Sequence, residues 1–228
     1  MNESTGLVYP LPWQMDAWQK LIDLHMAGKL PHALLLSGTD GSGVNRLALA
    51  FAQYVMCAKP SASGACGNCS SCGLTIASTH PDFKLLAPEK TGGQIKVDSV
   101  RSVVKFGHNT AQQGGYRVVV VAPAESMNTF SANSLLKSLE EPGEKTLFIL
   151  ISHMPAALLA TIKSRCQWIK SSVVNQTGNT RARQGMQKLV EQILQRRRNL
   201  LVGNNPNVQL LLEALMLDLS KVLTIARG

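Results

Sequence analysis

The sequence predicts an α/β fold in which a parallel β-sheet is flanked by helices and followed by a short α-helical tail. Three observations carry that expectation. Between His32 and Trp168 short β-rich runs alternate with helix-like segments, the runs are apolar nearly throughout, and a glycine-rich turn separates the first run from the first helix. Continuous apolar runs are the mark of strands covered on both faces, as in a parallel sheet between helices. In such a layout ligand sites gather at the carboxyl ends of the strands.

The strands are HALLLS (32–37), DFKLLAP (82–88), YRVVVVA (116–122) and TLFILIS (146–152). Between them lie helical patterns at about 44–57, 97–108, 130–141 and 155–163. The third starts near Ser131 and stops at Pro142, because proline cannot continue a helix. Residues 1–170 thus form the core, and 171–185, polar and without sustained periodicity, read as a linker. In 186–228 two apolar stripes at helical spacing predict two closing helices: Met186, Leu189, Val190, Ile193 and Leu194, then Val208, Leu211, Leu212, Leu215, Leu219 and Val222. The second opens at Asn205-Pro206, where proline suits the first helical position.

Composition supports a folded chain: 45% of the 228 residues are apolar, enough for one good-sized core or two modest ones. No apolar run approaches the roughly 20 residues needed to span a bilayer, and MNESTGLVYPLPW has neither region of a signal peptide. A soluble, cytoplasmic protein with no membrane partner is expected. The formal charge is +9, and 171–228 is the denser basic part, with eight Lys/Arg against three Asp/Glu. Polyanions, DNA included, suit such a chain, and so does a merely solvated basic face. Arg196, Arg197 and Arg198 leave the same two readings open. The five histidines, His25, His32, His80, His108 and His153, show no paired metal spacing.

The glycine-rich turn is GTDGSGVN, Gly38 to Asn45. Its place between strand and helix is that of a phosphate-binding loop, in which backbone amides cradle phosphates, a lysine neutralises them and a hydroxyl holds magnesium. Gly38 and Gly43 are kept, but Val44 stands at the lysine position and Asn45 at the hydroxyl position. The acidic pair that would position magnesium after a later strand is replaced by Ala122-Pro123, with Glu125 further on. Two losses in two halves of one site predict no ATP bound there. A plain glycine-rich turn would read the same way.

Cys57, Cys66, Cys69 and Cys72 form C-x8-C-x2-C-x2-C in a stretch of small residues. Four thiolates at short spacing match a closed tetrahedral zinc site, hence a structural one. Two disulfides are the alternative, opposed by a reducing cytosol. Near the end of the core lies Ser164-Arg165-Cys166, after TIK. A lone arginine is ordinarily a surface or ion-pair side chain, but in oligomeric ATPases one subunit's arginine can reach the next subunit's γ-phosphate.

In order along the chain, GTDGSGVN, the cysteine module, NSLLKSLEEP (133–142) and SRC (164–166) resemble the delta-prime subunits of bacterial DNA polymerase III clamp loaders, within the AAA+ superfamily. THPDF (79–83) and LAPEK (86–90) fit as well, and the resemblance covers about 9–170. It implies a P-loop NTPase-like core with no catalysis of its own. Such a subunit sits in a five-membered ring with ATP-hydrolysing gamma/tau-like subunits and a clamp-opening delta-like subunit. The ring belongs to the DNA polymerase III holoenzyme, at the replisome on the nucleoid, and loads the sliding clamp on primer-template DNA during replication. Arg165 then becomes an arginine finger acting in trans, positioned by Ser164 and Cys166. The family's helical lid is not recognisable here, and LLLEALMLDL (210–219) resembles the end of the collar, so the chain reads as one whose middle has been removed. Two other functions fit the residues alone: an active ATPase with an unusual loop, and a zinc-stabilised DNA-binding module.

Overall fold

The computed structural model describes residues 6–171 except 91 and 114. Nearly all of the expected linker, the tail of 186–228 and the Arg196–Arg198 cluster lie outside the described residues. Five strands form one sheet among the described residues: β1 (Ala33–Ser37), β2 (Phe83–Leu86), β3 (Arg117–Val121), β4 (Thr146–Ser152) and β5 (Gln167–Lys170). All neighbours pair parallel, in the order β2-β3-β4-β1-β5. Every residue of β1, β3 and β4 is buried, so the apolar runs follow from two covered faces.

Alternation along the strands divides the core into two layers. On one face Leu34, Leu36, Val118, Val120, Leu147 and Ile149 pack with α1 (Met15–Met26) and α2 (Val44–Met56). Trp18 of α1 is fully buried there, edge-on to Tyr54 at 5.5 Å and to Phe51 at 6.2 Å. On the other face Leu35, Val119, Phe148 and Leu150 meet residues of three further helices. These are α4 (Val97–Gly107), α5 (Thr129–Glu140) and α6 (Ala160–Lys163), while α3 (Ser70–Ile76) belongs to the cysteine module.

Three of the four expected helices stand within a residue or two of their predicted ends. Helix α5 starts at Thr129 because the Asn128 side chain accepts from the Ser131 amide, and it stops ahead of Pro142. The fourth, expected at 155–163, is broken into a 3-10 turn at Pro155–Ala157 and the short α6. Between them Leu158 and Leu159 are extended, with ψ of 145° and 138°, and Leu158 reaches the second core layer at 7% exposure. Tertiary burial of one leucine outweighs local helical preference there.

The register places the two ends of the sheet. Gln167 lies beside Leu34 and Lys170 beside Ser37. Gly38 therefore leaves the carboxyl edge of the sheet, while Arg165 stands just before the opposite, amino edge. Helix α5 ends at that amino edge too, tied to His32 by a 2.6 Å contact of its Nε2 with the Leu139 carbonyl.

Candidate functional site

The cysteine module begins where α2 ends, with Cys57 in extended backbone as its C-cap. The four sulfurs lie within 4.8 Å of one another, with Sγ–Sγ distances of 3.9 Å for Cys57–Cys69, 3.9 Å for Cys66–Cys72 and 3.7 Å for Cys57–Cys72. A disulfide needs about 2.05 Å. A tetrahedron of metal–sulfur bonds of about 2.3 Å has edges of about 3.8 Å. The spacing therefore suits one central cation and not pairwise bonds. Amide N–H groups of Lys59 and Cys66 point at Cys57 Sγ at 3.4 and 3.2 Å, and that of Cys72 at Cys69 Sγ at 3.4 Å.

The same surroundings split the thiols electrostatically. Burial pushes Cys72 up to about 12, and burial also raises Cys57. Burial opposes ionisation of Cys69 as well, but the amides of Ala58 and Cys72 outweigh it and bring the thiol down to about 6. The Asn68 amide lowers Cys66. A cation bound by all four must displace the remaining protons, which ties its affinity to pH.

Trp18 and Ser71 join the module to the core by hydrogen bonds. Trp18 Nε1 donates to the Ala62 carbonyl at 2.9 Å. Ser71, between the last two cysteines, donates to the Met56 carbonyl at 2.7 Å and meets His80 Nε2 at 2.8 Å. His80 Nδ1 accepts the Asp82 amide at 3.1 Å, so the ring is neutral with its proton on Nε2. Asp82 then binds Arg117 at 3.0 Å, and its two oxygens accept the Gln112 and Gln113 amides at 2.8 Å each. THPDF is the segment that carries this chain, yet a hydrogen-bond relay is not visible in a linear sequence.

Side chains from the segment before α1 bind the carbonyls of the glycine-rich turn. Gly43 is left-handed, φ +78°, as N-cap of α2. Trp13 Nε1 donates to the Ser42 carbonyl at 3.0 Å and Gln14 Nε2 to the Gly43 carbonyl at 2.8 Å. Gly43 is demanded by its left-handed φ, and at Gly38 a Cβ would lie 2.7 Å from the Ser171 carbonyl oxygen, a backbone atom that cannot swing aside. Val44 is fully buried in the first core layer. Asn45 is half-buried and its Oδ1 has no hydrogen-bond partner among the described residues. Ala122 and Ala124 are buried and apolar. Glu125 Oε1 accepts from the amides of His153 at 2.9 Å and Met154 at 3.3 Å, and the His153 ring meets the Gly38 carbonyl at 3.1 Å. The carboxylate thus secures the turn after β4.

At the opposite edge Arg165 is half-exposed. Its Nε donates to Glu140 Oε1 at 2.6 Å, its Nη2 pairs with the same oxygen, and its Nη1 donates to the Thr161 carbonyl at 2.8 Å. Ser164 Oγ also donates to that carbonyl at 3.1 Å, so Ser164 helps hold the turn. Burial pushes Cys166 up to about 12, which leaves it a packing thiol against the second layer. A separate groove of about 620 Å³ along α4 and β2 carries Lys84, Arg101 and Lys105 against one acid, Asp98.

Residues 13–174 match the model of the family described as DNA polymerase III, delta subunit. Among known proteins, the DNA polymerase III subunit delta′ of Pseudomonas aeruginosa is 49% identical over 157 residues, 68% of this chain and 46% of that protein. That of Escherichia coli is 41% identical over 156 residues, 68% of this chain and 47% of its own length. The chain thus spans about half the length of these relatives. A crystal structure of a DNA polymerase III gamma-subunit-related protein from Thermotoga maritima superposes with a TM-score of 0.51 at 26% identity, covering 66% of this chain and 45% of that one. With a family model matched over most of its length and delta′ relatives aligned across the same core, the chain belongs to the DNA polymerase III delta-subunit family, on its delta-prime, clamp-loader branch.

Proposed function

We propose that the protein is a non-hydrolysing delta-prime-like subunit of a clamp loader, and that Arg165 completes the ATP site of a neighbouring gamma/tau-like subunit. The observation that carries this reading is the placement of Arg165, half-exposed at the amino edge of the sheet, across the fold from its own glycine-rich turn. An arginine there cannot serve the chain's own turn and is free to meet another subunit. A guanidinium keeps its charge at any physiological pH and presents a planar fork of donors. Set against a γ-phosphate, it would stabilise the charge that spreads over the phosphoryl oxygens in the transition state.

The chain's own turn offers little to a nucleotide. It has a buried valine where a cation would stand and Ala122-Pro123 where magnesium's acids would stand. These features support absence of intrinsic turnover. Cys57, Cys66, Cys69 and Cys72 would hold structural zinc, which would supply cross-linking and no open coordination position. By this reading the partners are the ATP-hydrolysing and clamp-opening loader subunits, within the polymerase III holoenzyme.

The test is ATP hydrolysis by a loader reconstituted with this chain. The chain alone should turn over no ATP, and Arg165→Ala should lower turnover at the served site on the order of 10³-fold while the ring still assembles. Unchanged hydrolysis with Arg165→Ala would remove the finger. A second contact is favoured by the groove of Lys84, Arg101 and Lys105, which suits nucleic-acid phosphates. Loader affinity for primed DNA should then fall less steeply with salt in Lys84→Ala/Lys105→Ala. An unaltered salt slope would discard this contact.

A further inference from the structure

We infer that Glu140 is the positioning residue of Arg165, ordering the guanidinium before a neighbour's phosphate arrives. The inference rests on the reading of Arg165 as a finger. It starts from a misfit: Glu140 is the last residue of α5 and Glu141 its C-cap. A helix carboxyl end disfavours acidic side chains, because the unpaired carbonyls there are already partly negative. Glu140 therefore does not stabilise α5 by its place. Its Oε1 instead takes two donors from one guanidinium, Nε at 2.6 Å and Nη2.

The opposite side of that guanidinium is held by its own turn, Nη1 on the Thr161 carbonyl at 2.8 Å. Carboxylate and carbonyl together fix the plane of a side chain that otherwise has several free torsions. Nη2 carries two N–H groups, and Glu140 is its one acceptor among the described residues. A donor remains for an incoming phosphate oxygen. The pair is also half open to water, with side-chain exposures of 31% for Arg165 and 49% for Glu140. The ion pair consequently orders the arginine without sealing it in. Ordering it in advance removes the cost of freezing a flexible side chain at the moment of engagement, so the effect falls on turnover rather than on nucleotide affinity.

A double-mutant cycle in the reconstituted loader tests this, read together with the Arg165 Nε–H resonance of the full chain alone. Glu140→Ala should lower kcat at the served site by about tenfold with KM within about twofold. Glu140→Gln, whose Oε1 still accepts, should recover most of that loss. In an Arg165→Ala background, Glu140→Ala should change nothing further. In the free chain the Nε–H resonance should be protected from exchange, remain so in Glu140→Gln and lose protection in Glu140→Ala. If Arg165→Ala lowers kcat but Glu140→Ala does not, Glu140 has no positioning role while the finger stands. If Arg165→Ala itself leaves kcat unchanged, the finger reading fails and this inference goes with it. Full protection of Nε–H in Glu140→Ala overturns the inference on its own.

Discussion

Arg117 and Arg165 each meet one carboxylate, but Arg117 and Asp82 are 3% and 1% exposed whereas Arg165 and Glu140 are 31% and 49% exposed. Arg117 is enclosed on every side: Asp82 at 3.0 Å, the Phe106 carbonyl at 2.9 Å, the Thr110 carbonyl, and the Phe106 ring at 4.4 Å. Asp82 in turn secures two amides of the loop before β3 and passes through His80 and Ser71 to the end of α2. That arginine is architecture, with no face to offer a partner. Arg165 is held by one carboxylate oxygen and one carbonyl, and part of it faces water. Burial and the number of partners together make a fixture of Arg117 and leave Arg165 partly open to water.

Breaking the buried pair should have the largest effect. Asp82→Ala leaves a guanidinium in the interior without its counter-ion and frees the Gln112 and Gln113 amides. It should cost about 3–5 kcal/mol of folding stability, measured by denaturant unfolding. A loss under about 1 kcal/mol would mean that the carbonyls of Phe106 and Thr110 alone suffice for Arg117.

Metal removal should act next, and more locally. Cys57, Ala65 and Cys72 form their own small buried cluster, separate from the two sheet layers. Chelation, or Cys72→Ser, should therefore release the module while β1, β3 and β4 stay protected, as read by amide hydrogen exchange. Because burial holds Cys72 up at about 12, binding should release protons and tighten as pH rises. Zinc below about half an equivalent in chain purified under reducing conditions would remove the structural-metal reading.

The relay between these regions carries a pH dependence. Burial lowers His80 below its ordinary 6.5, although Asp82 opposes the shift. The unfolded chain thus takes up this proton first as pH falls, so the stabilisation is complete above about 6.5 and is lost as pH falls towards the folded value. The melting temperature should drop between about pH 7 and 5, with a shallower drop in His80→Asn. Identical slopes would show that other groups carry the acid sensitivity.

The sheet was legible because β1, β3 and β4 are covered on both faces, which writes itself as unbroken apolar runs. The cysteine cluster was legible because its four members keep the short spacings that a metal site would need, and the fold brings their sulfurs within 4.8 Å of one another. Helix α1 was missed although Trp18, Leu21 and Ile22 recur at helical spacing and are buried; the stripe is short and begins behind a proline-bearing turn. Strand β5 is four residues long, with only Ile169 buried, too brief for a pattern. What no linear reading supplies is contact across the chain. Gln14 binds the Gly43 carbonyl from 29 residues away and Glu140 meets Arg165 from 25. The residues that depart from a phosphate loop, Val44 and Asn45, could be read from the sequence, but the side chains that bind its carbonyls could not.

Arg165→Lys should have the smallest effect on the fold and tests the comparison at its weaker end. Lysine keeps the charge beside Glu140 but loses the planar fork that places Nε and Nη2 on one oxygen. An exposed ion pair contributes about 0–1 kcal/mol, so unfolding of Arg165→Lys should match the parent within about 1 kcal/mol. Loader hydrolysis should nevertheless fall, because a point charge cannot reproduce the guanidinium's geometry at a phosphate. If lysine sustains full hydrolysis, charge alone is what the site offers a neighbour. If Arg165→Lys instead destabilises the chain as much as Asp82→Ala, Arg165 is architecture like Arg117, and exposure no longer tells the two arginines apart.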